Sequence, residues 1–103
     1  IQQISDIYTE KITNWSEVGG EDRPIVLLSR ESNSGTYVYF KDNVLDGEDY
    51  APTMQSMPGT AAVVNAVAKD RSGIGYGGYY LVGARTVVPE MFRGISWGGS
   101  KVV

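Results

Sequence analysis

Arg30, Ser34, Gly35 and Thr36 stand together in an Arg-x-x-x-Ser-Gly-Thr string. A guanidinium presents N–H donors in a rigid planar fork, suited to oxygen pairs on an anion. Serine and threonine add O–H donors, and glycine lets the main chain come close to a ligand. At a helix start the first N–H groups lack intrahelical partners, and the helix dipole leaves partial positive charge there. Gathered at such a point, these groups suit a small tetrahedral oxyanion. The same residues have a plainer use. Serine before Gly-Thr is ordinary helix capping, and an arginine at a strand end commonly faces solvent. Residue types alone leave both readings open.

For the groups to converge, a strand must deliver Arg30 and a helix must begin at Ser34. Ile25-Val26-Leu27-Leu28 is β-branched and aliphatic and is bounded by Pro24 and polar residues, which predicts a buried strand over 24–29. Tyr37, Phe40 and Val44 fall on one helical face, which predicts a helix over about 35–45. Ile1, Ile4, Ile7 and Tyr8 recur at helical spacing, so 1–8 reads as a short helix whose uncapped start leads us to expect a longer natural polypeptide. Ile12, Trp15 and Val18 are the expected inward residues of the next stretch, Gly19-Gly20 breaks it, and 21–23 reads as a solvated turn. Asp46 to Asp49 forms a polar turn, and 50–58 is irregular or weakly extended, with Pro52 and Pro58 disfavouring helix.

Gly59-Thr60 opens a second helix with an apolar stripe of Ala61, Val63, Val64, Val67 and Ala68. Capping explains that Gly-Thr pair at least as well as a second anion-facing helix start does. Residues 72–80 read as a glycine-punctuated strand and turn. Leu81 and Val82 begin a brief helix that Gly83 ends, and 86–88 and 94–97 are weak strand candidates. No internal repeat or linker interrupts the chain. Alternating strands and helices point to one α/β domain of three layers around a small, largely parallel sheet.

Composition narrows the chemistry. The 103 residues suit a single domain with a modest core, and the net charge of −3 gives no electrostatic case for nucleic acid or an anionic membrane. Absence of cysteine removes disulfides and thiolates, and absence of histidine removes the commonest general base and metal ligand. No apolar run approaches the roughly 20 residues of a membrane span. Gly73-Ile74-Gly75-Tyr76-Gly77-Gly78 looks superficially like a dinucleotide fingerprint, but neither a long following helix nor a suitably placed acid accompanies it. It reads instead as a buried strand whose glycines permit close packing. No P-loop is present. The seven tyrosines are scattered, as half-buried core edges usually are, and Asp6/Glu10 and Glu48/Asp49 read as solvated charge. Ser34 has no base to activate it as a nucleophile. No catalytic, metal or cofactor residues are assigned.

Three stretches together resemble a known family. Ile7-Tyr8-Thr9-Glu10-Lys11-Ile12-Thr13-Asn14-Trp15 is similar to the IFxGKIxNW stretch of the bacterial periplasmic phosphate-binding proteins of ABC transporters. Arg30-x-x-x-Ser34-Gly35-Thr36 matches that family's phosphate loop, and Gly73-Ile74-Gly75-Tyr76 resembles its AIGY strand, with Gly73 where alanine is more usual. The resemblance implies a type II periplasmic-binding-protein fold, with residues 1–103 forming only the second of two lobes. It implies inorganic phosphate as ligand, bound by the Arg30 guanidinium, the Ser34 and Thr36 hydroxyls and the Gly35 and Thr36 N–H groups. The implied partners are a missing first lobe of the same protein and a membrane permease, in a periplasmic or cell-surface setting. The implied role is binding without catalysis. The chain departs from the family at one place. Many members carry an acid two positions after the arginine to orient it, where this chain has Ser32, with Glu31 the nearest acid. The alternative is a small sensor or protein-interaction domain that reuses the same lobe. An enzyme acting on phosphoryl groups is less favoured, for want of a base, a metal cluster or an activated nucleophile.

Overall fold

The computed structural model describes residues 2–93 and 98–103. Three strands lie parallel: β1 (Val26–Arg30) in the middle, β2 (Gln55–Met57) on one side and β3 (Gly73–Tyr76) on the other. Beyond β3 the sheet continues with β4 (Leu81–Gly83), antiparallel to β3, and β5 (Ser100–Val102), parallel to β4. The order is β2-β1-β3-β4-β5, a mostly parallel sheet as the sequence predicts. Three α-helices accompany it: α1 (Gln2–Tyr8), α2 (Gly35–Asn43) and α3 (Thr60–Lys69). Single 3₁₀ turns stand at Trp15–Val18 and Pro89–Phe92.

Alternation along the strands sorts the helices into two layers. A Cβ on Gly75 would collide with Val63 Cγ1 and lie 3.6 Å from Leu28 Cβ, so Gly75, Leu28 and α3 share one face. Tyr76 points the other way, where its ring stacks on Phe40 of α2 at 4.0 Å and meets Tyr8 of α1 at 5.8 Å. By the same period of two, Ser29 lies on the α1/α2 face and Arg30 on the α3 face. The glycines of β3 thus let α3 lie close to the sheet, as their sequence context predicts.

Two aromatic residues before β1 are buried for a structural reason. Tyr8 and Trp15 have no exposed surface. Tyr8 Oη donates to the main-chain carbonyls of Leu28 (2.8 Å) and Ile74 (3.2 Å), bridging β1 and β3. Trp15 Nε1 donates to the Ser72 carbonyl at 2.9 Å. Ile12 and Val18 pack against the core at its margin.

Several local expectations are corrected. Leu81 and Val82 form strand β4, not a helix, because they pair with Tyr76 and Gly75 across a tight turn. Thr86 and Val88 form no strand; the chain turns there, burying Val87, and Pro89 opens a 3₁₀ turn. Residues 55–57 within the stretch read as irregular or weakly extended are an ordered edge strand, and 100–102 form a further one. In α3 the inward residues are Val63 and Val67, while Ala61 and Ala68 of the expected stripe are exposed. Arg23, expected in a solvated turn, donates from Nε to Ser72 Oγ at 2.8 Å. The candidate strand at 94–97 lies outside the described residues.

Candidate functional site

Because β1, β2 and β3 run parallel, their carboxyl ends share one edge of the sheet. The connections after β1 and β2 lead into α2 and α3, so both helices start at that edge. In open α/β sheets this edge is where ligands bind. Arg30 is the last residue of β1, paired with Met57, the last of β2.

The start of α2 is built as its sequence predicts. Ser34 is extended at φ −82° and ψ 135°, and its Oγ accepts the Thr36 N–H at 3.1 Å. Its own N–H reaches back to the Glu31 carbonyl at 2.9 Å, closing the turn after β1. The cap leaves the Ser34 O–H proton available to a ligand, while the Thr36 N–H is already engaged. The donors expected at Thr36 therefore reduce to its hydroxyl, with the Gly35 N–H beside it.

Helix α3 starts differently. Its cap position is Gly59, which has no side chain to cap with. Thr60 does not cap either. Its Oγ1 accepts from Arg30 Nη1 at 3.3 Å. Arg30 Nε is buried and has no hydrogen-bond partner among the described residues. Glu31 is exposed, and the ion pairs among the described residues are Lys11–Glu48 (3.3 Å) and Lys41–Asp49 (3.2 Å), neither of which includes Arg30. The cation is thus held by a neutral hydroxyl.

Gly77 and Gly78 after β3 link the two helix starts. A Cβ on Gly77 would lie 2.7 Å from Thr60 Cγ2, so this glycine abuts the Thr60 side chain. Gly78 and Tyr79 line a cleft of about 230 Å³ together with Gly35, Thr36 and Tyr39. Arg30, Thr60, Gly77–Gly78 and Gly35–Thr36 therefore follow one another along the edge.

Behind them runs a set of hydroxyls, on the buried Ser29 and Tyr76 and the half-buried Tyr50. Tyr76 Oη lies 2.7 Å from Ser29 Oγ and 2.8 Å from Tyr50 Oη, and accepts the Arg30 N–H at 3.3 Å. Tyr50 Oη donates to the Tyr37 carbonyl in the first turn of α2 at 2.9 Å. Burial pushes the Tyr50 and Tyr76 phenols above their ordinary value of 10.0, so both keep their protons at neutral pH. The sequence points to Arg30, Ser34, Gly35 and Thr36 and marks Tyr76 only as part of the Gly73-Ile74-Gly75-Tyr76 strand, with no role at the site for Ser29, Tyr50 or Tyr76. Tyr50 is one of several scattered tyrosines, and nothing local to Ser29 sets it apart. A second cleft, of about 220 Å³, is lined by Ile7, Ile12, Ile25, Leu27, Glu10, Thr13 and Thr53, and brings no cation to a ligand.

A family model described as a PBP superfamily domain matches residues 1–89. The chain belongs to the PBP superfamily. Among similar proteins, the phosphate-binding protein PstS of Pseudomonas aeruginosa is 34% identical over 101 residues, covering 84% of this chain and 31% of its own length. PstS of Staphylococcus epidermidis is 37% identical over 79 residues, 75% of this chain and 24% of its own length. A Clostridium perfringens protein assigned to a phosphate ABC transporter, solved with bound phosphate, superposes with a TM-score of 0.68 at 42% identity, over 73% of this chain and 31% of that one. An ABC-type phosphate transport receptor from Vibrio cholerae gives 0.68 at 30% identity, over 72% and 32%. This PBP-superfamily chain therefore spans about a third or less of the length of these relatives. Their stated roles are binding and transport, with no catalysis among them.

Proposed function

We propose that the chain supplies one half of an inorganic-phosphate site in the solute-binding component of a bacterial ABC-type phosphate uptake system. On this reading residues 1–103 are the second of two lobes. The other lobe completes the site, a membrane permease receives the ligand, and the protein works in the periplasm or at the cell surface.

The observation that carries the reading is the buried Arg30 Nε without a partner among the described residues, at an edge where α2 and α3 both begin. A buried charged donor left unpaired is costly, and an anion oxygen relieves that cost. Ser34 and Thr36 add hydroxyl donors, Gly35 adds its N–H, and the α2 dipole favours negative charge at the same place. The exposed Tyr39 and Tyr79 that line the cleft fit a surface on which another lobe closes.

The half-site has donors for the anion and, among the described residues, no buried carboxylate to accept a proton from it. Phosphate carries a proton at neutral pH and sulfate does not, so reading that difference requires an acceptor. Affinity also suffers in isolation. Each hydrogen bond to a charged group contributes about 1.5–3 kcal/mol, so losing several to an absent lobe moves binding from micromolar toward millimolar. Calorimetric titration of this chain is expected to show weak phosphate binding, sulfate binding within a few-fold of it, and loss of both in Arg30→Ala. Phosphate binding that persists unchanged in Arg30→Ala overturns the reading.

A further inference from the structure

We propose that Thr60 and Tyr76 are the positioning residues of the anion site, holding Arg30 with neutral hydroxyls where a carboxylate would otherwise orient it. The proposal rests on the phosphate reading above and adds to it the means by which the cation is aimed.

Thr60 acts at the guanidinium. Its β-branched side chain is stiff about χ1. Cγ2 lies against Gly77, where an added Cβ would come within 2.7 Å of it and within 2.9 Å of Tyr80 Cζ. With the methyl lodged there, Oγ1 is turned to accept Arg30 Nη1 at 3.3 Å. Thr60 is also the first residue of α3, so the helix that packs over β3 fixes where this acceptor stands. In accepting from Arg30, Thr60 Oγ1 keeps its own proton, which is available to the anion.

Tyr76 acts at the main chain. Its Oη accepts the Arg30 N–H at 3.3 Å and lies 2.7 Å from Ser29 Oγ and 2.8 Å from Tyr50 Oη. Ser29 Oγ also donates to the Arg30 carbonyl at 3.2 Å, and Tyr50 Oη donates to the Tyr37 carbonyl at 2.9 Å. The linked hydroxyls run from the end of β1 to the first turn of α2. They tie the residue that carries the cation to the helix start that carries the other donors.

Neither residue brings a negative charge. A carboxylate in that role would offset part of the positive charge that the anion meets, whereas hydroxyls leave the guanidinium uncompensated. Orientation without compensation is the functional consequence of having Ser32 and an exposed Glu31 beside the loop.

The test uses Thr60→Val, Thr60→Ser, Tyr76→Phe and Arg30→Ala in the full 103-residue chain. Inorganic phosphate is titrated into each, and the Arg30 Nε–Hε resonance is recorded by NMR without phosphate. Valine keeps the branched shape and loses the acceptor, while serine keeps the acceptor and loses the packed methyl. Thr60→Val is expected to weaken phosphate binding about tenfold and to shift or broaden the Nε signal, as expected for one hydrogen bond to a charged group. Thr60→Ser should stay within about threefold of the parent with its signal in place, and Tyr76→Phe should weaken binding about three- to tenfold. A purely structural role predicts the reverse order for the two Thr60 variants. Persistent binding in Arg30→Ala defeats the phosphate reading itself. Loss in Arg30→Ala with parent-like affinity in Thr60→Val defeats the positioning proposal alone. An Nε resonance unmoved in Thr60→Val defeats it even where affinity is too weak to titrate.

Discussion

Ser34 combines two jobs in one hydroxyl. Its oxygen caps α2 by accepting the Thr36 N–H at 3.1 Å, and its proton is left for a ligand. The two jobs separate by substitution. Alanine removes both, and cap loss of this kind costs about 0.5–2 kcal/mol. Aspartate is as good a cap and sits well with the helix dipole, but it sets a negative charge where the anion must approach. Ser34→Ala is therefore expected to lower stability in urea unfolding by about 1 kcal/mol and to weaken phosphate binding. Ser34→Asp should unfold like the parent and bind no phosphate. An aspartate variant that still binds would place the anion away from this helix start. Arg30 shows the complementary case: its side chain is aimed by residues far away in sequence, so its local string identifies it but does not orient it.

The elements that place these residues depend on close approach at β3. Gly75 faces α3, and a Cβ there meets Val63 Cγ1 and stands 3.4 Å from Val67 Cγ2. At Gly73 the nearest atom is the Asp70 carbonyl oxygen at 3.2 Å, with Val67 Cα at 3.6 Å. Overpacking costs about 1–3 kcal/mol, so Gly75→Ala should lower the urea midpoint clearly and Gly73→Ala by less. If α3 lifts to admit the methyl, Thr60 moves with it, and phosphate affinity should fall in the same variant. An equal effect at the two positions would contradict this packing. These elements also show what a sequence can reveal. β1 and β3 were legible because they are buried and bounded by breakers, and α2 and α3 because Phe40, Val44, Val63 and Val67 keep helical spacing. β2 was not, because Gln55-Ser56-Met57 lies on the sheet edge, mostly exposed, and has no apolar pattern to display. β4 is three residues long, too short for any period to distinguish strand from helix. The missed edge strand explains the missed partner. Thr60 reaches Arg30 only because β2 lies beside β1, a fact that resides in pairing and not in any local string. The hydroxyls of Ser29, Tyr50 and Tyr76 meet only in the folded chain for the same reason.

At the scale of the whole molecule, tyrosines packed in or against the core join the parts and set a limit on the pH range of the fold. Tyr8 ties α1 to β1 and β3, Tyr76 ties β3 to β1, and Tyr50 ties the segment before β2 to α2. Burial raises the Tyr8 phenol well above its ordinary value of 10.0, with the nearby Tyr76 adding to the effect, and burial raises Tyr50 and Tyr76 as well. Below pH 10 these phenols are protonated in both the folded and unfolded chains, so they give stability no slope. Above it the unfolded chain releases protons that the folded chain retains. The unfolded state then binds fewer protons, and stability must fall as pH rises. Tyr8 has no exposed surface and contributes up to about 1.4 kcal/mol per pH unit in that range, while the partly exposed Tyr50 contributes less. Urea unfolding at pH 8, 10 and 11 is expected to show a midpoint that is level at first and then drops. Tyr8→Phe removes hydrogen bonds to two strands, so it should be less stable at pH 8 by about 1 kcal/mol. Having no proton to retain at that position, it should also lose stability less steeply above pH 10. A variant as steep as the parent would mean that the alkaline limit arises elsewhere. The shallower slope would identify the Tyr8 phenol, which bridges β1 and β3, as a source of the alkaline limit.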